Sequence, residues 1–209
     1  MEAEGIKDTG VLTAVSLGVY NELQKESQER DGGDWMNVLI VVDMQVDFVD
    51  GALGTKEAVE IVPNVVEKIK GYEGEVIYTM DTHGTDYLTT QEGKNLPVEH
   101  CIRSTKGWEL VPEIKKLQEE AESKIFEKDT FGSIDLVEYM KELNGGVGIE
   151  RVDMVGLCTD ICVISNALLV KAAVPQVPIY VWEACTAGVT PESKANALSA
   201  LGVCQVGVL

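Results

Sequence analysis

Both histidines of this 209-residue chain, His83 and His100, lie in one stretch with carboxylates, and the combination could hold a metal ion. Asp81 and His83 are expected directly after a strand, where residues two apart point to the same side. Glu92 and His100 follow in the same loop. Two imidazoles with one or two carboxylates suit one divalent transition ion (Zn²⁺, Fe²⁺ or Mn²⁺), with water in the open positions. The alternative is that both histidines are structural. Two further acidic residues of the loop are expected to be solvated surface charges, Asp86 and Glu99.

Cys162 is the best placed of the five cysteines for nucleophilic chemistry. It is expected at the first turn of a helix after a buried strand, where free N–H groups and the helix dipole lower the pKa of a thiol and hold a developing oxyanion. The alternative for a buried cysteine is to pack as a small hydrophobe. Cys158 could take either role, and the packing role is predicted for the other three, Cys101, Cys185 and Cys204.

Asp43 and Lys128 also fall at predicted strand ends. Asp43 follows a β-branched apolar run over residues 38–42, so its carboxylate would be poorly solvated and could act as a base. A carboxylate in such a loop could instead cap a helix. Lys128 could lower the pKa of the Cys162 thiol or stabilise a charged intermediate, and its alternative is an exposed surface lysine.

The elements that must position these residues alternate between strand and helix. Strands are predicted over residues 38–42, 75–80, 124–127, 152–156, 177–182 and 204–208. Helices are predicted over residues 61–69 (with Pro63 early in the helix), 111–121, 133–143, 162–171 and 190–202. This order predicts an α/β fold with a doubly wound, mainly parallel six-stranded sheet and helices on both faces. Ligands bind beyond the carboxyl ends of such strands, where the residues above are expected.

Composition limits the partners. The net charge of −18 repels phosphate, so neither nucleic acid nor an anionic membrane is expected as a partner. No apolar run approaches the roughly 20 residues of a membrane span, and no secretory signal is recognised. The odd number of cysteines favours a reducing compartment, so we expect a cytoplasmic location.

The chain is expected to divide near residue 35. Residues 1–35 are interpreted as an appended amphipathic helix, over about 11–29, and a linker, while residues 36–209 form the main domain. The helix is expected to pack on the domain surface or on a partner subunit, and a homo-oligomer is expected.

Together these residues resemble the isochorismatase-like cysteine hydrolases, most closely the nicotinamidases, over residues 36–209. Asp43 matches the family's catalytic aspartate and lies in the segment Val-Asp-Met-Gln-Val-Asp-Phe. Lys128 matches the family's lysine and lies in Phe-Glu-Lys-Asp-Thr-Phe. Cys162 matches the family's nucleophile and lies in Gly-Leu-Cys-Thr-Asp-Ile-Cys-Val. The resemblance implies a non-proline cis peptide between Cys158 and Thr159. It also implies an oxyanion hole formed by the backbone N–H groups of Cys158 and Cys162.

The resemblance also implies a set of metal ligands and pocket walls. Asp81, His83 and His100 match ligands of the nicotinamidases, and Glu92 fits the spacing of a glutamate that some members use. Phe48 and Phe131 match aromatic wall positions. The chain departs from the common pattern at two positions, with Thr89 in place of a further histidine and Pro97 in place of a tryptophan or phenylalanine.

The function that follows from the resemblance is hydrolysis of a small amide, nicotinamide to nicotinate and ammonia, through a Cys162 thioester. One metal ion and no organic cofactor are expected. The first alternative is a metal-free hydrolase of the same superfamily acting on another amide or a ureido compound, which would have no reason to hold His83 and His100. The second is a binding protein without turnover, which would not need a thiol.

Overall fold

Six strands form one sheet in the order β3-β2-β1-β4-β5-β6 in the computed structural model, which describes residues 35–209. The strands are β1 Met36–Val42, β2 Glu75–Asp81, β3 Ile125–Lys128, β4 Ile149–Leu157, β5 Ile179–Ala187 and β6 Gly207–Val208. All pairings between neighbouring strands are parallel. The predicted helix over residues 11–29 lies outside the described residues, so the division near residue 35 stays a prediction.

Helices cover both faces of this sheet. They are α1 Val46–Val49, α2 Lys56–Lys70, α3 Gln91–Asn95, α4 Pro112–Glu120, α5 Ile134–Gly146, α6 Ile164–Ala173 and α7 Pro191–Val203, with a 3₁₀ turn at Tyr87–Thr89 and a π-helical turn at Thr159–Val163. None of the helices in residues 35–209 combines the length and apolar character that crossing a bilayer requires.

The core lies on both sides of β1, as its apolar run predicts. Val38, Ile40 and Val42 face one cluster, to which α5, α6 and α7 contribute. Leu39 and Val41 face the other, with α2 and α4. A strand buried on both faces reads as a continuous β-branched run because no position along it meets water. The predicted doubly wound sheet with helices on both faces is confirmed.

Helix α2 illustrates how local sequence sets the element bounds. The hydroxyl of Thr55 accepts a hydrogen bond from the backbone N–H of Ala58 at 3.0 Å, which satisfies one free donor of the first turn. Gly71 ends the helix. The predicted position of Pro63 near the start of this helix is wrong, because the Thr55 cap begins the helix well before the apolar stripe and leaves Pro63 inside it.

The last strand is shorter than predicted. Helix α7 continues through Gly202 to Val203, and the backbone N–H of Cys204 still donates to Ala200 O at 3.1 Å. Cys204 is therefore exposed at the helix end, and its predicted burial is wrong. Cys101 and Cys185 are buried as predicted.

The sheet brings the carboxyl ends of β1 to β4 to one edge. Strands β1 and β4 approach so closely there that a Cβ on Gly156 would lie 2.0 Å from the carbonyl oxygen of Val42. Gly156 also has a φ of +110°, which favours glycine. The residues after these four strands therefore share one cleft.

Candidate active site

Asp43, Lys128 and Cys162 meet at the carboxyl edge of the sheet. The ammonium Nζ of Lys128 lies 2.7 Å from Asp43 Oδ2 and 3.6 Å from Cys162 Sγ. The hydroxyl of Thr79 donates to Asp43 Oδ1 at 2.6 Å. Asp43 directly follows β1 with a left-handed φ of 47° and is fully buried. The three residues that the sequence singled out are thus in mutual contact.

Burial and charge compete in setting the ionisation of this trio. Burial, with the charge of Asp81, raises the pKa of Asp43, and the neighbouring Lys128 offsets only part of this rise. For Lys128, burial lowers the pKa, but the negative charges around it, above all Asp43, raise it well above the usual range. Lys128 is therefore a permanent cation that balances buried anionic groups.

The thiol of Cys162 behaves differently from the sequence prediction. Burial raises its pKa well above the usual value, and both the charge of Asp43 and a hydrogen bond to it add to the rise. The prediction that a helix N-terminus lowers this pKa is wrong for the free protein. Loss of hydration and the adjacent carboxylate outweigh the opposing charge of Lys128. A base must therefore remove the thiol proton before attack, and Asp43 is in contact to do so.

Cys162 lies on a π-helical turn, Thr159–Val163, that joins β4 to α6. A cis peptide links Leu157 to Cys158, so the predicted cis bond between Cys158 and Thr159 is wrong by one residue. Neither position carries a proline, so no residue type in the sequence marks which bond is cis. Cys158 lines the same cavity as Cys162.

Asn166 holds this turn and was not predicted from the sequence. Its amide Nδ2 donates to the carbonyl oxygen of Cys162 at 2.8 Å and to that of Phe131 at 3.2 Å, and its Oδ1 accepts from the N–H of Ser133 at 2.9 Å. The side chain is fully buried. The signal available in the sequence was an asparagine four residues after a proposed nucleophile, inside a mostly apolar helix.

A second cluster lies beside the trio. Asp81 Oδ2 is 2.9 Å from Nε2 of His83 and 3.5 Å from Nε2 of His100, and all three side chains are buried. Glu92 Oε1 lies 3.7 Å from each of these Nε2 atoms. The structure thus brings together the four residues that the sequence pointed to. The carboxylate of Glu92 lies farther from the two imidazole Nε2 atoms than that of Asp81 does.

The donor set fits a divalent transition ion. Nε2 of His83 is buried and makes no hydrogen bond of acceptable geometry within residues 35–209. Nδ1 of His100 lies 2.8 Å from the carbonyl oxygen of Val98, which favours the tautomer that leaves Nε2 free to ligate. An unpaired buried nitrogen costs free energy, and a metal ion would remove this cost.

The charges in this cluster are arranged around Asp81. Burial raises its pKa, but the close contacts of its carboxylate with His100 and His83, together with the charge of Lys128, hold the pKa well below the usual range. Burial raises the pKa of Glu92. Asp81 is therefore an anion in the free protein, as a ligand must be.

One cavity of about 1250 Å³ is lined both by Lys128 and Cys162 of the trio and by the histidine cluster. Phe48 and Phe131 both line this cavity, and the centroid of the Phe48 ring lies 5.4 Å from that of His100. Phe131 is 48 % exposed, so it forms the rim. Leu96 lines the cavity next to the unusual Pro97. The predicted surface charges Asp86 and Glu99 are exposed.

Comparisons with known proteins agree with this fold. The family model of the isochorismatase domain matches residues 37–208. The structure is similar to that of a pyrazinamidase of Pyrococcus horikoshii in complex with zinc, with 27 % identity, a TM-score of 0.69, and coverage of 83 % of this chain and 98 % of that one. It is also similar to a nicotinamidase/pyrazinamidase from Bacillus subtilis, with 26 % identity, a TM-score of 0.71 and the same coverage.

A more distant neighbour shares the fold. The yeast nicotinamidase has 20 % identity and a TM-score of 0.70, with coverage of 83 % of this chain and 99 % of that one. No curated protein sequence matches the chain.

Proposed function

Because this chain belongs to the isochorismatase family, we propose that it is a metal-dependent cysteine amidohydrolase that converts nicotinamide and water to nicotinate and ammonia. The family and the similar structures support a hydrolase in general. One observation carries the finer assignment: the cluster of Asp81, His83 and His100 opens into the same cavity as Cys162. This arrangement suits a substrate with a ring nitrogen at one end and a carboxamide at the other.

Asp81, His83 and His100 would hold the ion, with Glu92 as a fourth ligand. When bound, the ion supplies a Lewis-acidic site for the lone pair of a pyridine nitrogen. Phe48 and Phe131 line the space that an aromatic ring would occupy. Holding both ends of the substrate in this way places the carboxamide over Cys162, and such positioning can be worth several kcal/mol.

The trio would perform the covalent chemistry in two stages. Asp43 takes the proton of the Cys162 thiol, and the sulfur attacks the amide carbon while backbone N–H groups of Cys158 and Cys162 stabilise the oxyanion. The C–N bond then breaks, and Asp43 gives its proton to the departing ammonia. A water molecule, deprotonated by Asp43, hydrolyses the thioester and regenerates the thiol. Lys128 stays protonated and stabilises the buried carboxylate throughout.

A second candidate is a metal-free hydrolase of another small amide or a ureido compound. Pro97, in place of an aromatic residue, favours it because the ring-binding wall is then less complete. The unpaired Nε2 of buried His83 counts against it, since such an enzyme gains nothing from that arrangement. A binding protein without turnover would have no use for a buried lysine, carboxylate and thiol in contact.

The deciding assay is ammonia release from nicotinamide, pyrazinamide and a set of aliphatic amides, with and without a chelator. We expect the pyridine and pyrazine amides to be preferred and the chelator to abolish this preference. Cys162→Ala is the matched inactive control. Equal turnover of aliphatic amides that is insensitive to chelator would support the metal-free candidate instead.

A further inference from the structure

Gln45, two residues after Asp43, clamps the backbone of a proposed metal ligand. Its amide Nε2 donates to the carbonyl oxygen of Asp81 at 2.8 Å, and its Oε1 accepts from the N–H of Asp81 at 2.7 Å. The same Nε2 donates to the carbonyl oxygen of Trp108 at 2.8 Å. Gln45 is fully buried, so these bonds are shielded from competing water. Both peptide groups that orient Asp81 are thus fixed by one side chain.

Asp47 makes the equivalent contact on the histidine side. Its Oδ2 accepts from the backbone N–H of Cys101 at 2.8 Å, directly after His100. Cys101 has a left-handed φ of 46°, and its carbonyl oxygen accepts from the N–H of His83 at 3.0 Å. A Cβ on Gly107 would lie 2.0 Å from Asp47 Oδ2, so only glycine leaves room for this carboxylate. Asp47 therefore anchors a backbone path that joins both histidines.

We propose that Gln45 and Asp47 are positioning residues for the metal site. Gln45 fixes the direction of the Asp81 carboxylate, and Asp47 fixes the spacing of His83 and His100 through Cys101. This inference rests on the proposed function in one respect, namely that the cluster holds an ion. The short segment from Asp43 to Asp47 would then have two roles. Asp43 transfers the proton, and Gln45 and Asp47 position the residues that hold the ion.

The physical reason is that these hydrogen bonds end on peptide groups of, or adjacent to, the ligands. Releasing one of them frees a φ or ψ angle next to the ligand and lets its donor atom leave the geometry that the ion requires. Changes to groups that orient metal ligands typically weaken metal affinity about 10- to 100-fold. A residue that only supports the fold would lower the stability of the metal-free protein and leave the affinity of its folded form unchanged.

The test is the zinc affinity of the full-length protein, measured by competition with a chromophoric chelator. We expect Asp47→Ala and Gln45→Leu each to weaken zinc binding about 10- to 100-fold. Asp47→Asn keeps an oxygen that can accept from Cys101 N–H, so it should recover most of the affinity. The matched control is Asp50→Ala, because within residues 35–209 the Asp50 side chain is exposed and has no hydrogen bond or ion pair.

The unfolding of each metal-free variant in urea separates positioning from stability. Asp47 is only partly buried, so Asp47→Ala decides the question alone if Gln45→Leu does not fold. Wild-type zinc affinity in the folded Asp47→Ala variant would overturn the inference and leave the proposed function standing. Failure of the wild-type protein to bind any of Zn²⁺, Fe²⁺ and Mn²⁺ would overturn both.

Discussion

Lys128 joins the two halves of the site at the scale of single residues. Its ammonium lies 2.7 Å from Asp43 Oδ2 and 3.5 Å from Asp81 Oδ1, while the other oxygen of Asp81 faces the histidines. One buried cation therefore balances a proposed catalytic base and a proposed metal ligand. Removal of one partner of a buried ion pair leaves an uncompensated charge, which costs about 3–5 kcal/mol.

We expect Lys128→Met to lower the free energy of unfolding by about 3 kcal/mol, because it leaves the buried carboxylates of Asp43 and Asp81 without a compensating cation. The measurement is urea unfolding of the metal-free protein. Lys124→Met is the matched control, since Lys124 is more than half exposed and its nearest carboxylate, Glu75, is 3.9 Å away. Equal urea midpoints for the two variants would mean that another group compensates the charges of the Asp43 and Asp81 carboxylates.

Asp43→Asn should lower the rate constant of nicotinamide hydrolysis about 10²- to 10⁴-fold, because the amide cannot accept a proton. The reason is specific to this site: the pKa of Cys162 is raised, so little thiolate exists without a base. Steady-state ammonia release measures the loss, and a near-UV spectrum checks the fold. A loss of less than tenfold would assign the proton transfer to another group.

Glu92→Gln tests the weakest member of the proposed ligand set. Glu92 Oε1 lies 3.7 Å from both imidazoles, farther than Asp81 lies from either. We expect a partial loss of bound metal and a raised KM for nicotinamide, both smaller than the losses in His83→Ala. Metal analysis of the purified variants provides the measurement. Full metal content and unchanged KM in Glu92→Gln alone would leave a three-residue site.

At the scale of elements, the junction between β4 and α6 depends on Asn166. Its side chain ties the carbonyl oxygen of Cys162 to the segment that carries Phe131 and Ser133. Asn166→Leu removes three hydrogen bonds and takes away the acceptor of the buried Ser133 N–H, which by itself costs about 1–3 kcal/mol. We expect lower thermal stability and weaker hydrolysis together. Unchanged activity would show that the turn holds its shape without this side chain.

The sequence predicts those elements whose signals are local. The apolar run of β1 places that strand and the glycine after α2 places the end of that helix, while the residues after the strand ends identify the trio and the histidines. The π-helical turn, the cis bond before Cys158 and the clamp by Gln45 could not be predicted this way. They depend on contacts between segments about 36 residues or more apart, or on a backbone geometry that no residue type announces.

The pKa of Cys162 is the clearest failure of local reasoning. Position at a helix start predicts a lowered pKa, yet burial and Asp43 raise it. Asp43 is more than a hundred residues away in the chain, and only the parallel pairing of β1 with β4 brings them together. Electrostatics at a buried site therefore follows topology rather than sequence neighbourhood.

At the scale of the whole molecule, a bound ion should stabilise the fold by mass action. Zinc at about 100 times its dissociation constant adds about 2.7 kcal/mol if the unfolded chain does not bind it. For a protein of this size each kcal/mol raises the Tm by about 2–4 °C. We expect a zinc-dependent rise of about 5–10 °C that excess chelator reverses. An identical Tm with and without zinc, at a concentration that saturates activity, would contradict this expectation.

The parallel bridge between His83 and Ile102 has a consequence for how an ion would enter and leave. Its backbone hydrogen bonds close the loop over residues 84–101 without an ion, so the conformational entropy of bringing the two imidazoles together is lost during folding. Small zinc domains lose that entropy only when the metal arrives, and they unfold without it. Here the chelated protein should keep its fold, and ion exchange would be limited by access through the cavity rather than by rearrangement of the chain.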